Sequence, residues 1–256
     1  MLKVLVVGEL CIDRFVYGEV SRMCPEAPVP VFNPIEIVEN NGMAGNVVDN
    51  LNSLSDDIEV VHWHQSNKIE KIRFVEKKSN HMIVRVDEGE SFPMDSFSFM
   101  SSRKRGTINE SDLVIISDYN KGFLTTSHIE QIANQGSLVL MDSKKKLSED
   151  LIQEITFVKL NEIEYENNKD LADKYPEKFI ITLGSNGAMF NGEIYPSSNP
   201  QDTIDVSGAG DTFISAFSLK YLSTGNTGES IEFANSACAN VVNKKGVAVP
   251  DSSFRI

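Results

Sequence analysis

The stretch Asp205–Phe213 contains the residue types that handling a phosphoryl group requires. Two glycines, Gly208 and Gly210, flank Ala209, and an apolar pattern with helical spacing begins directly after them at Phe213. A glycine turn that opens a helix leaves several backbone N–H groups without intrahelical partners, and the helix dipole adds positive potential at the same point. The sequence therefore predicts a cradle of backbone amides that can receive an anion.

Asp211 lies inside this predicted cradle, where the helix dipole stabilises a carboxylate but a bound phosphate would repel it. Two interpretations fit this position. Asp211 is either a residue that caps the start of the helix or a general base beside a phosphoryl group in transfer. The local pattern alone does not separate them, because aspartate is common at helix starts.

Short apolar runs that alternate with a helical pattern must position this stretch. Strands are predicted at 2–8, 58–64, 70–75, 113–117, 137–141, 156–160 and 178–182, and a helix at 126–134. This alternation implies a mostly parallel sheet with right-handed crossovers. Ligands of such sheets bind beyond the carboxyl ends of the strands, so we expect Glu9, Asp13 and Arg14 to meet a substrate, with a plain polar loop as the alternative.

Charge and cysteine usage limit the classes of partner. The formal net charge of −13 argues against nucleic acid and against an anionic membrane surface, and no apolar stretch approaches membrane-spanning length. The three cysteines, Cys11, Cys24 and Cys238, are widely scattered, which favours reduced thiols and a cytoplasmic location. We therefore expect small-molecule partners.

The stretch Asp205–Phe213 resembles the Asp-Thr-x-Gly-Ala-Gly-Asp signature of the ribokinase-like sugar kinases, the PfkB family. This resemblance extends from about residue 4 to residue 250 and implies a three-layer α/β/α core with a small β lid. It also implies that Asp211 is the catalytic base, that the amides of Gly208, Ala209 and Gly210 form the anion hole, and that ATP and Mg²⁺ are the cofactors.

A second stretch, Ser21–Val31, reads Ser-Arg-Met-Cys-Pro-Glu-Ala-Pro-Val-Pro-Val. Its three prolines keep the backbone extended and exclude a helix. The phrase resembles one found in the D-glycero-D-manno-heptose 7-phosphate kinases, a branch of the family, and general sugar kinases of the family lack it. The resemblance implies phosphorylation of the anomeric hydroxyl of a sugar phosphate.

Candidate substrate contacts follow from the same resemblance. Asn41–Leu51 is similar to the first family signature, with Met43 in place of its second glycine, and a glycine there lets the backbone approach a sugar. Arg73 and Arg85 are candidates for the distal phosphate, with solvated strand charges as the alternative. The candidate substrate residues are Asp13, Arg14, Gly42, Asn46, Asp118, Lys121, Arg73 and Arg85.

Candidate nucleotide contacts lie in the second half of the chain. Asn161 and Glu164 resemble the family's Asn-x-x-Glu, and an amide and a carboxylate on one helical turn suit a hydrated magnesium ion, although acids at a helix start are also dipole partners. The loop from Thr182 to Gly187 matches the family's Thr-x-Gly-x-x-Gly. The candidate nucleotide residues are Lys144, Asn161, Thr182, Gly184, Gly187 and Asn240.

The segment between the predicted strands 58–64 and 70–75 is shorter than in the family, which usually carries a further α/β unit there. We interpret residues 1–256 as a single kinase domain with lid strands at about 14–40 and 70–90, through which two chains can form a homodimer. Two alternatives to a heptose phosphate kinase stay open. One is a family member that acts on another sugar or a nucleoside, and the other is a non-catalytic relative that binds sugar or nucleotide.

Overall fold

The computed structural model describes residues 1–90, 102–198, 206–244 and 246–256, with side chains omitted at 102–104. Asp205, the first residue of the predicted glycine motif, lies outside the described residues. The strands are β1 Leu2–Gly8, β2 Leu10–Met23, β3 Pro30–Met43, β4 Ile58–Trp63, β5 Glu70–Glu76, β6 Met82–Glu88, β7 Leu113–Asp118, β8 Val139–Ser143, β9 Phe157–Asn161, β10 Phe179–Thr182, β11 Ala188–Phe190 and β12 Glu193–Tyr195. The α-helices are α1 Ala44–Leu54, α2 Ser102–Glu110, α3 Thr126–Ala133, α4 Glu149–Glu154, α5 Glu162–Lys174, α6 Ala209–Thr224 and α7 Thr227–Val241.

The main sheet has the strand order β12-β11-β10-β9-β8-β7-β1-β4. In this order, the neighbouring strands from β10 to β4 pair in parallel. Strands β11 and β12 form a hairpin, and β11 pairs antiparallel with β10. The inner strands are buried runs of Val, Ile and Leu, as expected of parallel strands covered on both faces. The hairpin turns at Asn191 and Gly192, both with positive φ, as a tight two-residue turn requires.

Helices cover both faces of this sheet. One face packs against α1, α6 and α7, with Val47, Phe213 and Ala234 in the shared core. The opposite face packs against α2–α5, with Ile108, Ile129 and Ile152 in the core. Strand side chains alternate between these two cores, which confirms the predicted three-layer α/β/α architecture.

A second sheet, with strand order β3-β2-β5-β6, forms the lid. Its register places Ile37, Val16, Phe74 and Val84 in one row across all four strands. The adjacent row, on the other face because side chains alternate along a strand, contains Val38, Phe15, Arg73 and Arg85. One face of the lid therefore carries an apolar row and the other carries two arginines.

The connection from β4 of the main sheet to β5 of the lid is short. Strand β4 is an edge of the main sheet, and the chain passes from Trp63 to Glu70 at the start of lid strand β5 without a helix. This path agrees with the expected short segment between the two strands. None of the helices in the described part of the chain is both long and apolar enough to cross a bilayer.

Candidate active site

The carboxylate of Asp211 is held between two elements that are distant in sequence. Its Oδ2 accepts a hydrogen bond from Nδ2 of Asn46 on α1 at 2.9 Å. Its Oδ1 accepts one from the hydroxyl of Tyr119, in the loop after β7, at 2.8 Å. Both donors lie outside the helix that contains Asp211, which weighs against its interpretation as a cap.

Burial controls the protonation of this carboxylate. Asp211 is 4% exposed, and burial raises its pKa to about 6, while the hydrogen bonds from Asn46 and Tyr119 oppose that rise. A carboxylate with a pKa near 6 is largely ionised at neutral pH and is still basic enough to accept a proton from a hydroxyl group in a transition state.

The glycine turn before α6 directs backbone amides toward the same point. Gly208 has φ 80°, in the left-handed region, and a Cβ there would lie 2.5 Å from Nδ2 of Asn46. In the described part of the chain, the N–H groups of Gly208 and Gly210 have no acceptor. The N–H of Ala209 instead donates to the carbonyl of Val206 at 3.2 Å. Among the described residues, two amides of the predicted cradle are thus without an acceptor, because the third closes the turn.

A buried lysine lies beside these amides. A Cβ added to Gly210 would lie 2.8 Å from Nζ of Lys159, which is 5% exposed and donates to Oδ2 of Asp142 at 2.7 Å. Burial alone would raise the pKa of Asp142, but Lys159 and Lys144 outweigh burial and lower it. Sequence reasoning missed Lys159. The available signal was a charged residue inside the apolar run of β9, which needs a buried partner.

On the lid side, Asp13 and Arg73 form an ion pair on the face that carries the arginines. Asp13 is buried, and a Cβ on Gly42 would collide with its carboxylate, so glycine is required at that position. Lys71 is paired in register with Asp13, and its Nζ lies 5.7 Å from the centre of the Tyr119 ring. Three of the predicted substrate residues and an unpredicted lysine thus meet near Tyr119.

Other predicted substrate residues are engaged with protein groups. Arg14 pairs with Glu39 at 2.6 Å, on the opposite face from Asp13. Arg85 is half exposed and pairs with Asp87 at 2.8 Å, and Lys121 pairs with Glu90 at 2.5 Å.

Asp118 is almost fully buried and its carboxylate accepts from Lys145 and Ser143. Its neighbour Tyr119, rather than Asp118 itself, reaches the candidate base.

A cleft on the other side of the glycine turn contains the predicted nucleotide loop. Gly184 and Gly187 have φ 55° and φ 93°, and a Cβ on Gly187 would collide with the backbone of β12. The residues that line the cleft are Thr182, Gly184, Ser185, Gly187, Ser197, Val206, Ala209, Gly210, Phe213, Asn235, Cys238, Ala239 and Val242. The cleft therefore reaches Ala209 and Gly210, the first two residues of the helix that contains Asp211.

Asn240, a candidate nucleotide residue, does not line this cleft. Its amide donates to Asp251 at 2.7 Å. Asn235 and Ala239 of the same helix and Val242, its C-cap, recur at spacings of four and three, so they share the face toward the cleft. Asn240 is turned away from that face.

Asn161 and Glu164 form a reciprocal capping box at the start of α5. The Asn161 side chain accepts from the Glu164 N–H at 2.9 Å, and Glu164 accepts from the Asn161 N–H at 2.8 Å. Lys144 also donates to Glu164 and lies 3.6 Å from Asp142. Burial lowers the pKa of Lys144, but these two carboxylates more than compensate and raise it. Glu164 thus already faces one positive charge.

The buried carboxylate of Asp211 is thus linked through Tyr119 to the lid, and its helix begins at the cleft that contains the predicted nucleotide loop. Together with the fold, this arrangement is that of a sugar kinase, and the comparison with known families shows the class. The model of the pfkB family of carbohydrate kinases matches residues 55–253, and the chain belongs to that family.

A ribokinase from Thermotoga maritima matches 100% of this chain and 96% of its own length at a TM-score of 0.70 and 17% identity. A ribokinase from Arabidopsis thaliana, solved with ribose and ATP, matches 99% of this chain and 97% of its own at a TM-score of 0.72 and 16% identity. These likenesses show the ribokinase-like fold.

Among curated relatives, the bifunctional protein HldE of Helicobacter pylori is 32% identical over 303 aligned positions, which cover 97% of this chain and 64% of that protein. The chain therefore spans less than two thirds of that relative's length. The aligned positions also outnumber the 256 residues of this chain, so the relative carries additional residues within the matched region.

Proposed function

We propose that this chain transfers the γ-phosphoryl group of ATP to the anomeric hydroxyl of a sugar phosphate, and that the acceptor is D-glycero-D-manno-heptose 7-phosphate. Asp211 accepts the proton of the attacking hydroxyl. The amides of Gly208 and Gly210, with the ammonium of Lys159 beside them, stabilise the charge of the phosphoryl group in transfer. Such a transfer depends mainly on positioning and electrostatics, which these groups supply.

The observation that carries the proposal is the position of Asp211. Its carboxylate is buried and accepts hydrogen bonds from Asn46 and Tyr119. Helix α6, to which it belongs, begins at Ala209 and Gly210, which line the cleft with the predicted nucleotide loop. A proton acceptor is therefore available where an acceptor hydroxyl under the lid would meet a phosphoryl group in the cleft. ATP as the donor is supported by the family and by the ribokinase solved with ATP.

Magnesium fits the Asn161–Glu164 turn only as a hydrated ion. Among the described residues no group of three or more His, Cys, Asp or Glu side chains converges on one point. One or two carboxylates suffice for a magnesium ion that keeps most of its waters and contacts phosphate. We propose that Glu164 and Asn161 hold such an ion, which would neutralise charge on the nucleotide phosphates. Lys144, which contacts Glu164, would bind the same phosphates as a compact cation.

The choice of a phosphorylated acceptor is supported by the polar face of the lid. Arg73 and Arg85 are cross-strand neighbours in register, and each already pairs with one carboxylate, that of Asp13 or Asp87. The two guanidinium groups still place positive charge side by side, where a distal phosphate of the acceptor would bind through the parallel hydrogen bonds that arginine offers. The HldE relatives, at about one third identity, support the heptose phosphate in particular.

We further propose that residues 1–256 act as one kinase domain in the cytoplasm and that two chains pair through the lid. The thiols of Cys11, Cys24 and Cys238 are free, which supports a reducing compartment. The exposed Ile37 and Val84, on the face of the lid opposite Arg73, support the pairing.

The deciding experiment is phosphorus NMR of the chain incubated with ATP, magnesium and D-glycero-D-manno-heptose 7-phosphate. We expect a new signal for a sugar bearing an anomeric phosphate and loss of the γ-phosphate signal of ATP. Fructose 6-phosphate, ribose and adenosine serve as alternative acceptors in parallel tubes. Turnover with one of these alone would identify a family member with another substrate. Nucleotide-dependent thermal stabilisation without turnover on any acceptor would overturn the catalytic proposal in favour of a binding protein.

A further inference from the structure

Tyr119 links the candidate base to the lid. Its hydroxyl donates to Oδ1 of Asp211 at 2.8 Å, and its ring packs against a small cluster formed by Cys11, Met43 and Ile69. The hydroxyl of Tyr119 is thus aimed from the substrate side at the oxygen of Asp211 that does not bind Asn46.

The loop that carries Tyr119 is held by a buried carboxylate. Glu9, directly after β1, is 0% exposed. Its Oε2 accepts from the N–H of Tyr119 at 2.9 Å. Its Oε1 accepts from the N–H of Lys121 at 2.9 Å and from that of Phe123 at 3.4 Å. One carboxylate therefore fixes three amides of a loop that contains two residues with positive φ, Asn120 and Gly122.

The second donor to the base is fixed independently. Nδ2 of Asn50 donates to Oδ1 of Asn46 at 3.0 Å, which orients the Asn46 amide so that its NH₂ group faces Asp211. Each oxygen of the Asp211 carboxylate therefore has its own oriented donor. The carboxylate cannot rotate without breaking both hydrogen bonds.

We propose that Tyr119, held in place by Glu9, is a positioning residue for Asp211, and that its hydroxyl fixes the direction in which Oδ1 faces the acceptor. The inference rests on the proposed role of Asp211 as the base. Neither Glu9 nor Tyr119 touches the phosphoryl group in this scheme. Both act through the orientation of Asp211 and through the hydrogen bond that favours its ionised form.

Several other charges act on the same carboxylate and must stay constant in any test. The titratable or charged groups that face Asp211 from the packed elements are Tyr119, Asp142, Lys144, Lys159 and Cys11. A Tyr119→Phe substitution removes one hydroxyl and leaves all other members of this set in place. Any change in the titration of Asp211 in that variant therefore comes from the lost hydrogen bond.

The test compares Tyr119→Phe with Tyr165→Phe. The hydroxyl of Tyr165 also donates to an aspartate at 2.8 Å, but this pair with Asp173 is exposed on α5. In protein labelled with ¹³C at aspartate carboxylates, Asp211 is assigned by the signal missing in Asp211→Asn. We expect its titration midpoint, about 6 in the wild type, to move upward by roughly one pH unit in Tyr119→Phe. Tyr165→Phe should leave it unchanged.

A kinetic readout follows the same logic with any acceptor that supports turnover. The acidic limb of kcat/KM against pH should move upward with the NMR midpoint in Tyr119→Phe, by the same amount. Glu9→Gln, which keeps the shape but replaces one acceptor oxygen with an NH₂ group, should move both in the same direction by a smaller amount. A loss of activity in these variants with no movement of the pH profile would indicate only a structural role and would overturn the inference.

Failure of this inference is distinguishable from failure of the proposed function. The NMR titration needs no substrate, so an unmoved Asp211 midpoint in Tyr119→Phe overturns the positioning role even if the wild type is active. Absence of turnover by the wild type overturns the proposed function instead. If Glu9→Gln does not fold, which circular dichroism detects, Tyr119→Phe alone decides.

Discussion

Burial and hydrogen bonding act in opposite directions on the carboxylate of Asp211. Burial dominates and raises the pKa to about 6, while Asn46 and Tyr119 favour the ionised form. If Asp211 is the base, Asp211→Asn keeps the shape of the side chain and removes the proton acceptor. We expect kcat to fall on the order of 10²–10⁴-fold at pH 7.5. Steady-state kinetics measure this change.

The control for that prediction is Asp173→Asn, an exposed aspartate of α5 that also accepts a hydrogen bond from a tyrosine. It should retain the wild-type kcat within a factor of two. A loss of less than tenfold in Asp211→Asn would contradict the role of Asp211 as a base and return it to the alternative of a structural residue at the start of a helix.

The same pKa has a consequence for stability. Because the pKa of Asp211 is raised on folding, the folded state binds more protons than the unfolded state between about pH 4 and pH 6. Stability from this group is therefore full below pH 4 and is lost as the pH rises through 6. Asp211→Asn removes this loss, so at pH 8 the variant should be more stable than the wild type by on the order of 2–3 kcal/mol.

Thermal unfolding of both proteins at pH 4, 6 and 8 checks this prediction. The difference in Tm should shrink toward zero as the pH falls to 4. A variant that is less stable than the wild type at pH 8 would mean that the two hydrogen bonds to Asp211 outweigh its burial.

Local sequence was sufficient to predict the glycine turn and the helix that begins after it, because both involve consecutive residues. The role of Asp211 as a base came from the family resemblance and stays a prediction. The partners of Asp211 could not be derived in the same way. Asn46 and Tyr119 lie 165 and 92 residues away in the chain, and only the packing of α1 and the β7 loop brings them together. Lys159 was missed for a similar reason, since its partner Asp142 belongs to a neighbouring strand.

At the scale of elements, the start of α5 combines a structural role with a proposed binding role. Asn161 caps α5, and Asn226 caps α7 in the same way, by accepting from the N–H three residues on at 2.9 Å and 3.1 Å. Replacing either asparagine with alanine should cost about 1 kcal/mol of stability. Only Asn161→Ala should also weaken the binding of magnesium and ATP, because Asn226 lies outside the proposed metal turn.

Chemical denaturation measures the first effect, and isothermal titration calorimetry with magnesium and ATP measures the second. Equal nucleotide affinity in both variants would show that Asn161 is only a cap. Lower affinity in both would show that loss of stability, and not a lost ligand, is responsible.

The strands of the main sheet were largely predictable because buried parallel strands are continuous apolar runs. The predicted run 113–117 corresponds to β7, Leu113–Asp118. The run 137–141 was placed two residues early, since β8 is Val139–Ser143 and ends in polar residues that are buried by hydrogen bonding, such as Ser143 with Asp118. Hydrophobicity does not detect polar residues that are buried in this way.

At the scale of the whole molecule, the predicted layers were confirmed, but the contacts between the lid and the core were not visible in the sequence. The register of the lid decides which residues share a face. Arg14 and Arg73 were both expected to contact substrate, yet Asp13 and Arg73 share one face while Arg14 lies on the other with Glu39. A shift of the register of β2 by one residue would move Arg14 to the face of Arg73 and Asp13 to the other face. The sequence of the turns between the lid strands does not reveal this register.

The outer face of the lid leads to a prediction about assembly. Ile37 and Val84 lie at the two ends of one cross-strand row and are 60% and 49% exposed. Val16, in the middle of this row, is buried, but the apolar ends face solvent and mark an interaction surface. We expect a second copy of the lid to cover them. Sedimentation velocity should therefore find a dimer for the wild type and a monomer for the double variant Ile37→Asp, Val84→Asp. Ile194→Asp removes an equally exposed residue, 59%, outside the lid and should leave the dimer intact. A monomeric wild type, or a dimer that survives both lid substitutions, would show that this face does not pair the chains.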